Sequence, residues 1–131
     1  MTIESRIPLS IPDLRGNEKA YLEQCVADNW VSSAGPFVVE MERRLAQLTE
    51  RDAGIAVVNG TAALHLTLVS LGIGAGDLVA IPDWSFAATA NAVYHAGATP
   101  LFLDISGSSW TLDPQLLSEA FREYGERIGA G

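Results

Sequence analysis

The chain is poor in cysteine, in basic residues and in long apolar runs. Its one cysteine, Cys25, excludes an internal disulfide and a multi-cysteine metal site, and its helical apolar surroundings predict a buried structural thiol. Eight basic against sixteen acidic residues leave a net charge of −8. This balance argues against a nucleic-acid partner, because such proteins neutralise phosphates with Lys and Arg. No apolar run is long enough to span a bilayer and the N-terminus lacks a secretory pattern, so we expect a soluble, cytoplasmic protein without a membrane partner.

What is present is an apolar, globular chain: 131 residues, 48% of them hydrophobic, are enough for one domain with a core. The first part predicts an extended arm at residues 7–14 and helices at residues 17–28 and from Pro36 onwards, the second with Val38, Val39, Met41, Leu45 and Leu48 facing inward. From residue 53 onwards the pattern predicts strands at 55–58, 78–81 and 100–105. Helices are predicted at 61–71 and 86–96, and a last one, capped by Asp113, runs to residue 124.

Strands that alternate with helices at this spacing imply βαβ units and a mainly parallel sheet with flanking helices, an α/β fold. The strands are short continuous apolar runs, as expected when both faces of a sheet are covered. We therefore divide the chain into an N-terminal arm with helices, residues 1–52, and a partial α/β part, residues 53–131. The second part has no obvious closing strand and looks incomplete.

The segment NGTAAL at residues 59–64 follows the apolar run of residues 55–58 and opens a helical pattern. Gly60 allows a tight turn and a close approach of the backbone to a ligand. The free N–H groups of the next helical turn and the helix dipole favour an anion there, so we expect a phosphorylated ligand to which Thr61 adds its hydroxyl. The alternative is an ordinary strand-to-helix turn with a Thr near the cap.

A second candidate loop, PDWSFAAT at residues 82–89, lies where the next strand passes into its helix. Ligands of open α/β sheets bind outside the carboxyl ends of the strands, so this loop and the Gly60 turn can converge on one ligand. Trp84 and Phe86 offer aromatic faces for a flat, conjugated, phosphorylated cofactor. The alternative is that both rings anchor the core, with Asp83 or Ser85 capping the helix.

Several blocks in this order, among them IPLSIPDLRGNE, NWVSSAGPFVVEME and VVNGTAALHLTLVSLGIGAGDLVAIPDWSFAATANAVYHAGATPLFLDI, resemble the N-terminal part of the DegT/StrS-type nucleotide-sugar aminotransferases. The resemblance runs from about residue 7 to residue 117. It implies the N-terminal part of the large domain of a fold-type-I, aspartate aminotransferase-like enzyme that uses pyridoxal 5′-phosphate (PLP). In the segments NWVSSAG and VVNGTAALH, the sequence most resembles family members that act on 4-keto sugars of the legionaminic or perosamine type.

The resemblance also implies roles for individual residues. Gly60, Thr61 and Ala62 match the phosphate-binding turn of the family, and Phe86 matches the aromatic position that stacks on the pyridine ring. The segment WVSS at residues 30–33 resembles an N-terminal active-site loop, so that Trp30, Ser32 and Ser33 would shape the sugar pocket, in one subunit or in its partner in a homodimer. The alternative for the two serines is an exposed loop without a ligand.

No catalytic residue is expected within this chain. Transamination needs a lysine that forms a Schiff base with PLP, and the single lysine, Lys19, lies on a predicted surface helix beside Glu18 and Glu23. In the family this lysine lies further along the chain, as does the aspartate that pairs with the pyridinium, so Asp104 is interpreted as a strand-end residue. His65 and His95, among apolar neighbours, are expected to be packed core residues and not metal ligands.

By resemblance the full-length protein is a PLP-dependent aminotransferase that moves an amino group from an amino acid, glutamate, to a nucleotide-linked keto sugar. The 131-residue chain alone is then an inactive fragment without the Schiff-base lysine. Two alternatives stay open: a PLP-dependent sugar dehydratase of the same family, in which histidine replaces the lysine, and a non-catalytic truncated homologue that acts as a binding or dimerisation module. A dehydrogenase-type nucleotide domain is disfavoured, because the turn at Gly60 lacks the G-x-G-x-x-G spacing.

Overall fold

The computed structural model describes residues 8–125 of the chain. The chain divides into two compact units, one up to Ala56 and one from Val57 onwards. The boundary predicted from the sequence lies four residues earlier, between residues 52 and 53. Each unit is described by itself.

The first unit consists of two helices, α1 (Glu18–Ala27) and α2 (Pro36–Leu48). Pro36 occupies the first turn of α2, where its missing N–H costs no hydrogen bond. The rings of Tyr21 and Phe37, with centroids 4.8 Å apart, join the two helices. The prediction that five apolar residues of α2 face inward is wrong for Val39, Met41, Leu45 and Leu48, which are exposed, whereas Val38 is half-buried. The reason is geometric: within its unit α2 is contacted by α1 and by the short segment at residues 54–56, whose Ala56 N–H donates to the Glu42 carboxylate at 2.9 Å, and these cover only part of its surface.

Two helices of each unit end in the same way. In α1, the N–H of Trp30 donates to the carbonyl of Cys25 (2.8 Å) and that of Asn29 to Val26 (3.3 Å), with Asn29 in the left-handed region. This is a Schellman motif, and it recurs at the end of α2 and at the ends of the second unit's helices at residues 60–70 and 87–95. Glu50, Gly72 and Gly97 hold the left-handed position there.

The second unit carries the α/β elements: α3 (Gly60–Ser70), β1 (Leu78–Pro82), α4 (Ala87–His95), β2 (Thr99–Leu103) and α5 (Pro114–Tyr124). The strands β1 and β2 pair in parallel, with Ala80 opposite Leu101, and α4 connects them as a βαβ crossover. The core lies between the sheet and its helices, where Ile81, Val93 and Ala98 are buried. The predicted α/β fold with a parallel sheet is thus confirmed. Asp113 caps α5 as predicted, its carboxylate accepting from the N–H of Gln115 at 2.7 Å.

The predicted strand at residues 55–58 does not form, and Ile55 and Val58 are exposed. A strand exists only beside a partner, and within residues 8–125 the sheet has two strands, β1 and β2, neither of which pairs with this segment. The strand predicted at 100–105 is shifted, because Ile105 has left the parallel ladder and forms an isolated antiparallel bridge with Leu112.

Several predicted environments also change. Cys25 is half-buried rather than buried. The two histidines are not core residues: His65 is half-buried, His95 is exposed, and their rings face each other across α3 and α4 with centroids 5.7 Å apart. Lys19 is confirmed as a surface residue, with its Nζ 3.7 Å from a carboxylate oxygen of Glu23. None of the helices in residues 8–125 combines the length and the apolar character needed to cross a bilayer.

Candidate functional site

The first candidate site is the N-terminus of α3. Asn59 is its N-cap: the side-chain oxygen accepts from the N–H of Ala62 at 2.9 Å and the carbonyl accepts from Ala63 at 3.1 Å. Within residues 8–125, the N–H groups of Gly60 and Thr61 donate to no protein acceptor. Two backbone donors at this helix end are therefore available to a ligand.

The space in front of the turn is open. A Cβ built on Gly60 would meet no atom within 4 Å, and Thr61, the next residue, is half-buried. The first turn of α3 carries no acidic residue, so nothing there opposes the positive end of an 11-residue helix. Two free amides, a hydroxyl and the helix dipole suit a phosphoryl group.

Ala62 contributes differently from Gly60 and Thr61. Its N–H is occupied by the Asn59 side chain, so it can reach an anion only when that cap opens. The part of the predicted phosphate turn that is ready to bind is therefore Gly60 and Thr61.

The second candidate site is the loop between β1 and α4. The N–H of Asp83 donates to the carbonyl of Leu103 at 2.9 Å, which extends the parallel ladder by one bond and fixes where the loop begins. Phe86 takes the N-cap position of α4 with an extended backbone and no side-chain cap bond. The alternative that Asp83 or Ser85 caps this helix is therefore wrong; the hydroxyl of Ser85 lies 2.9 Å from that of Thr89 instead.

The Phe86 ring is 84% exposed and Trp84 is 66% exposed, so the alternative that both rings anchor the core is also wrong. A shallow cavity of about 70 Å³ lies beside Phe86, lined by Pro82, Ala90 and Phe102 among others. Because sites that enclose a small molecule measure roughly 300–1,000 Å³, this loop forms one wall of a site and not a complete pocket. No hydrogen bond in the described chain links the loop to Thr61, so their joint action on one ligand remains a prediction.

A tryptophan that the sequence analysis did not select lies next to this loop. The rings of Trp84 and Trp110 meet edge to face, with centroids 5.9 Å apart and an interplanar angle of 70°. Trp110 belongs to the loop that follows β2. Ligands of open α/β sheets bind outside the carboxyl ends of the strands. This rule applies to the end of β2 as well as to the end of β1, and it would have identified Trp110 as a candidate.

The predicted substrate loop lies in the first unit. Trp30 is exposed, at 47%. Its backbone N–H donates to the carbonyl of Cys25, and its side chain lies against Gly35, where a Cβ would be 3.5 Å away. The Ser32 hydroxyl donates to the carbonyl of Ala34 at 3.0 Å. Ser33 is exposed and has no side-chain hydrogen bond within residues 8–125. Their roles in binding a sugar remain predictions.

A parallel βαβ arrangement with an open helix N-terminus is typical of α/β proteins that bind phosphorylated ligands. The chain belongs to the DegT/DnrJ/EryC1/StrS aminotransferase family, whose match covers residues 12–128.

Individual relatives agree with this assignment. The chain is 44% identical to the GDP-perosamine synthase of Caulobacter vibrioides over 108 residues, which are 82% of this chain and 29% of that protein. It is 39% identical to the GDP-perosamine synthase of Escherichia coli O157:H7, over 81% of this chain and 29% of that protein. Among solved structures, the PLP form of Spr1654 from Streptococcus pneumoniae has a TM-score of 0.74 at 34% identity, covering 88% of this chain and 29% of that one. The chain thus spans less than a third of the length of these relatives.

Proposed function

We propose that the protein is a PLP-dependent aminotransferase that transfers an amino group from an amino acid, glutamate, to the keto group of a nucleotide-linked sugar. The observation that carries the proposal is the pair of free N–H groups at Gly60 and Thr61, in a chain that shares 44% identity with a GDP-perosamine synthase. In this proposal the amides bind the cofactor's phosphoryl oxygens.

Phe86 supplies the second contact. Its ring is flat, lies at the N-terminus of α4 and is 84% exposed, so it can stack on a heterocycle without rearrangement of the core. An aromatic pair of this kind contributes roughly 0.5–1.5 kcal/mol beyond the buried area. The phosphoryl contact fixes one end of the cofactor, and the ring fixes the plane of the other.

PLP, when bound, supplies an electron sink that makes transfer of an amino group feasible. The residues of this chain bind and orient it. Lys19 is exposed and pairs with Glu23, and about forty residues of chain separate it from the phosphate turn. We therefore assign Lys19 no catalytic role. We further propose that Trp30, Ser32 and Ser33 border the sugar site and that the full-length enzyme works as a cytoplasmic homodimer.

The test uses the protein expressed from its complete reading frame. After incubation with PLP and extensive dialysis, we expect the visible absorption of bound cofactor to remain. Addition of a GDP-linked keto sugar and glutamate should then release 2-oxoglutarate and an amino sugar, detected by mass spectrometry. A sample that stays colourless contradicts the proposal. A coloured sample that consumes the sugar without consuming glutamate indicates a dehydratase, and one that binds PLP without any turnover indicates a non-catalytic homologue.

A further inference from the structure

Two exposed tryptophans meet at one edge of the sheet. Trp84 lies just after β1 and Trp110 lies in the loop after β2. Because β1 and β2 are parallel, both loops leave the sheet at the carboxyl edge, which is where open α/β sheets bind ligands. Topology therefore brings the two side chains together at the edge that also carries Phe86.

The two rings touch but do not bury each other. Their centroids are 5.9 Å apart at 70°, and Trp84 and Trp110 remain 66% and 65% exposed. An edge-to-face pair holds the orientation of both rings while one indole face stays free. Large aromatic surface left in water at a ligand-binding edge is more informative than a single exposed aliphatic side chain.

The backbone of Trp110 is held in an unusual conformation. Its φ is +58°, the left-handed region that a bulky residue rarely adopts. The loop imposes this angle: the N–H of Trp110 donates to the carbonyl of Ser106 and the N–H of Ser106 donates to the carbonyl of Thr111, both at 2.9 Å. A glycine would satisfy the same loop without strain, so the indole is retained at a cost to the backbone.

The surroundings of the pair favour a flat, uncharged ring. The loop of residues 104–113 contains no Lys or Arg and contributes hydroxyls, among them Ser109 and Thr111, whose oxygens are 2.8 Å apart. Such a loop cannot neutralise a diphosphate, but it can hydrogen-bond the edge of a heterocycle whose face stacks on indole.

We propose that Trp84 and Trp110 form the stacking site for the nucleobase of the nucleotide-linked sugar. This inference rests on the proposed function, since it assigns one part of that substrate to this pair. The base then lies at the same sheet edge as the cofactor, with its plane set by an indole and its polar edge facing the hydroxyls of the loop.

The test measures GMP binding to the full-length, PLP-loaded protein by calorimetry, with ribose 5-phosphate as a probe that lacks the base. We expect Trp84→Ala and Trp110→Gly each to weaken GMP binding about tenfold, while ribose 5-phosphate binds as before. Trp84→Phe should restore most of the affinity. Tyr94→Ala is the matched control, because Tyr94 is equally exposed at 61% but lies at the other end of α4.

Trp110→Gly separates a structural role from a binding role, because glycine relieves the backbone strain and should leave the melting temperature unchanged or higher. GMP binding that is unaffected by both substitutions, or absent in the parent protein, overturns the inference. An equal loss of ribose 5-phosphate affinity also overturns it, because the pair would then bind a sugar phosphate. Protection of both indoles from acrylamide quenching overturns it as well, because another part of the protein would then cover them. Retention of PLP together with amino transfer in the parent protein keeps the proposed function separate from this inference; a parent that binds no PLP contradicts that function instead.

Discussion

The side-chain oxygen of Asn59 accepts a hydrogen bond from the backbone N–H of Ala62, with 2.9 Å between the two atoms. This bond divides the N-terminal amides of α3 into one that is occupied and two, at Gly60 and Thr61, that are free. A phosphoryl group in this place gains two amides at once and a third only by displacing the cap. The residue at position 59 therefore controls both the stability of the helix and the charge that a ligand meets.

Replacement of Asn59 by Asp separates these two effects. Asp is as good an N-cap as Asn and is favoured by the helix dipole, so the melting temperature should be unchanged or slightly higher. Its carboxylate would lie beside the phosphoryl oxygens, and we expect PLP affinity to fall about tenfold or more because like charges at this distance repel strongly. Absorbance titration of the full-length protein with PLP measures the affinity. Asn59→Ala is the control: it should cost about 1 kcal/mol of stability but retain PLP, because it frees the Ala62 amide. Equal PLP affinity of the Asp variant and the parent would refute the phosphate turn.

Phe86→Ala tests the ring-stacking contact. Since the ring is 84% exposed, its removal should change the free energy of unfolding by less than about 0.5 kcal/mol. PLP affinity should fall about fivefold, which corresponds to roughly 1 kcal/mol of aromatic stacking. The comparison is Tyr94→Ala, which removes an exposed aromatic ring from the other end of α4. If the two variants retain PLP equally well, Phe86 does not contact the cofactor.

The features that sequence reasoning located correctly are those that local chemistry decides. Pro36 begins a helix because its φ is fixed, Asp113 caps one because its carboxylate reaches the next turn, and the Asn59–Gly60 step opens α3. These signals need no distant partner.

The errors concern features that depend on a partner. Residues 55–58 have strand composition, but a strand needs a neighbour to accept its hydrogen bonds, and that neighbour is not encoded within four residues. The exposure of Met41 and the contact between Trp84 and Trp110 likewise depend on which elements pack together in the folded chain. The state of the Ala62 amide likewise depends on the Asn59 side chain, which accepts from it, and the role of Ala62 in the phosphate turn stays a prediction.

The stability of the first unit should depend on acid pH through Glu40. The guanidinium groups of Arg43 and then Arg44 hydrogen-bond its carboxylate, at 2.7 Å and 2.6 Å, and lower its pKa from 4.5 to about 2. Because the folded-state pKa is below the unfolded value, the stabilisation is complete above about pH 4.5 and is lost as the pH falls through about 2.

Glu40→Gln should therefore lower the free energy of unfolding at neutral pH, with a difference from the parent that shrinks as the pH falls below about 4.5 and disappears only below about 2. Urea unfolding followed by circular dichroism at several pH values measures that difference. Glu23→Gln is the control, because the Glu23 carboxylate is exposed and 3.7 Å from Lys19. Added salt should reduce the effect of Glu40, since the pair lies at the surface. A difference that is independent of pH would contradict the assignment.

Glu50 occupies the left-handed position after α2, with a φ of +53°, where Gly72 and Gly97 stand at the corresponding ends of α3 and α4. A side chain in this conformation costs roughly 1–2 kcal/mol, of which the greater freedom of glycine in the unfolded chain offsets about half. Glu50→Gly should therefore raise the free energy of unfolding by about 0.5–1 kcal/mol, as measured by urea denaturation. Glu50→Ala removes the same carboxylate but keeps the Cβ, and it should leave the stability close to that of the parent. If alanine stabilises as much as glycine, the gain comes from loss of charge and not from relief of the backbone.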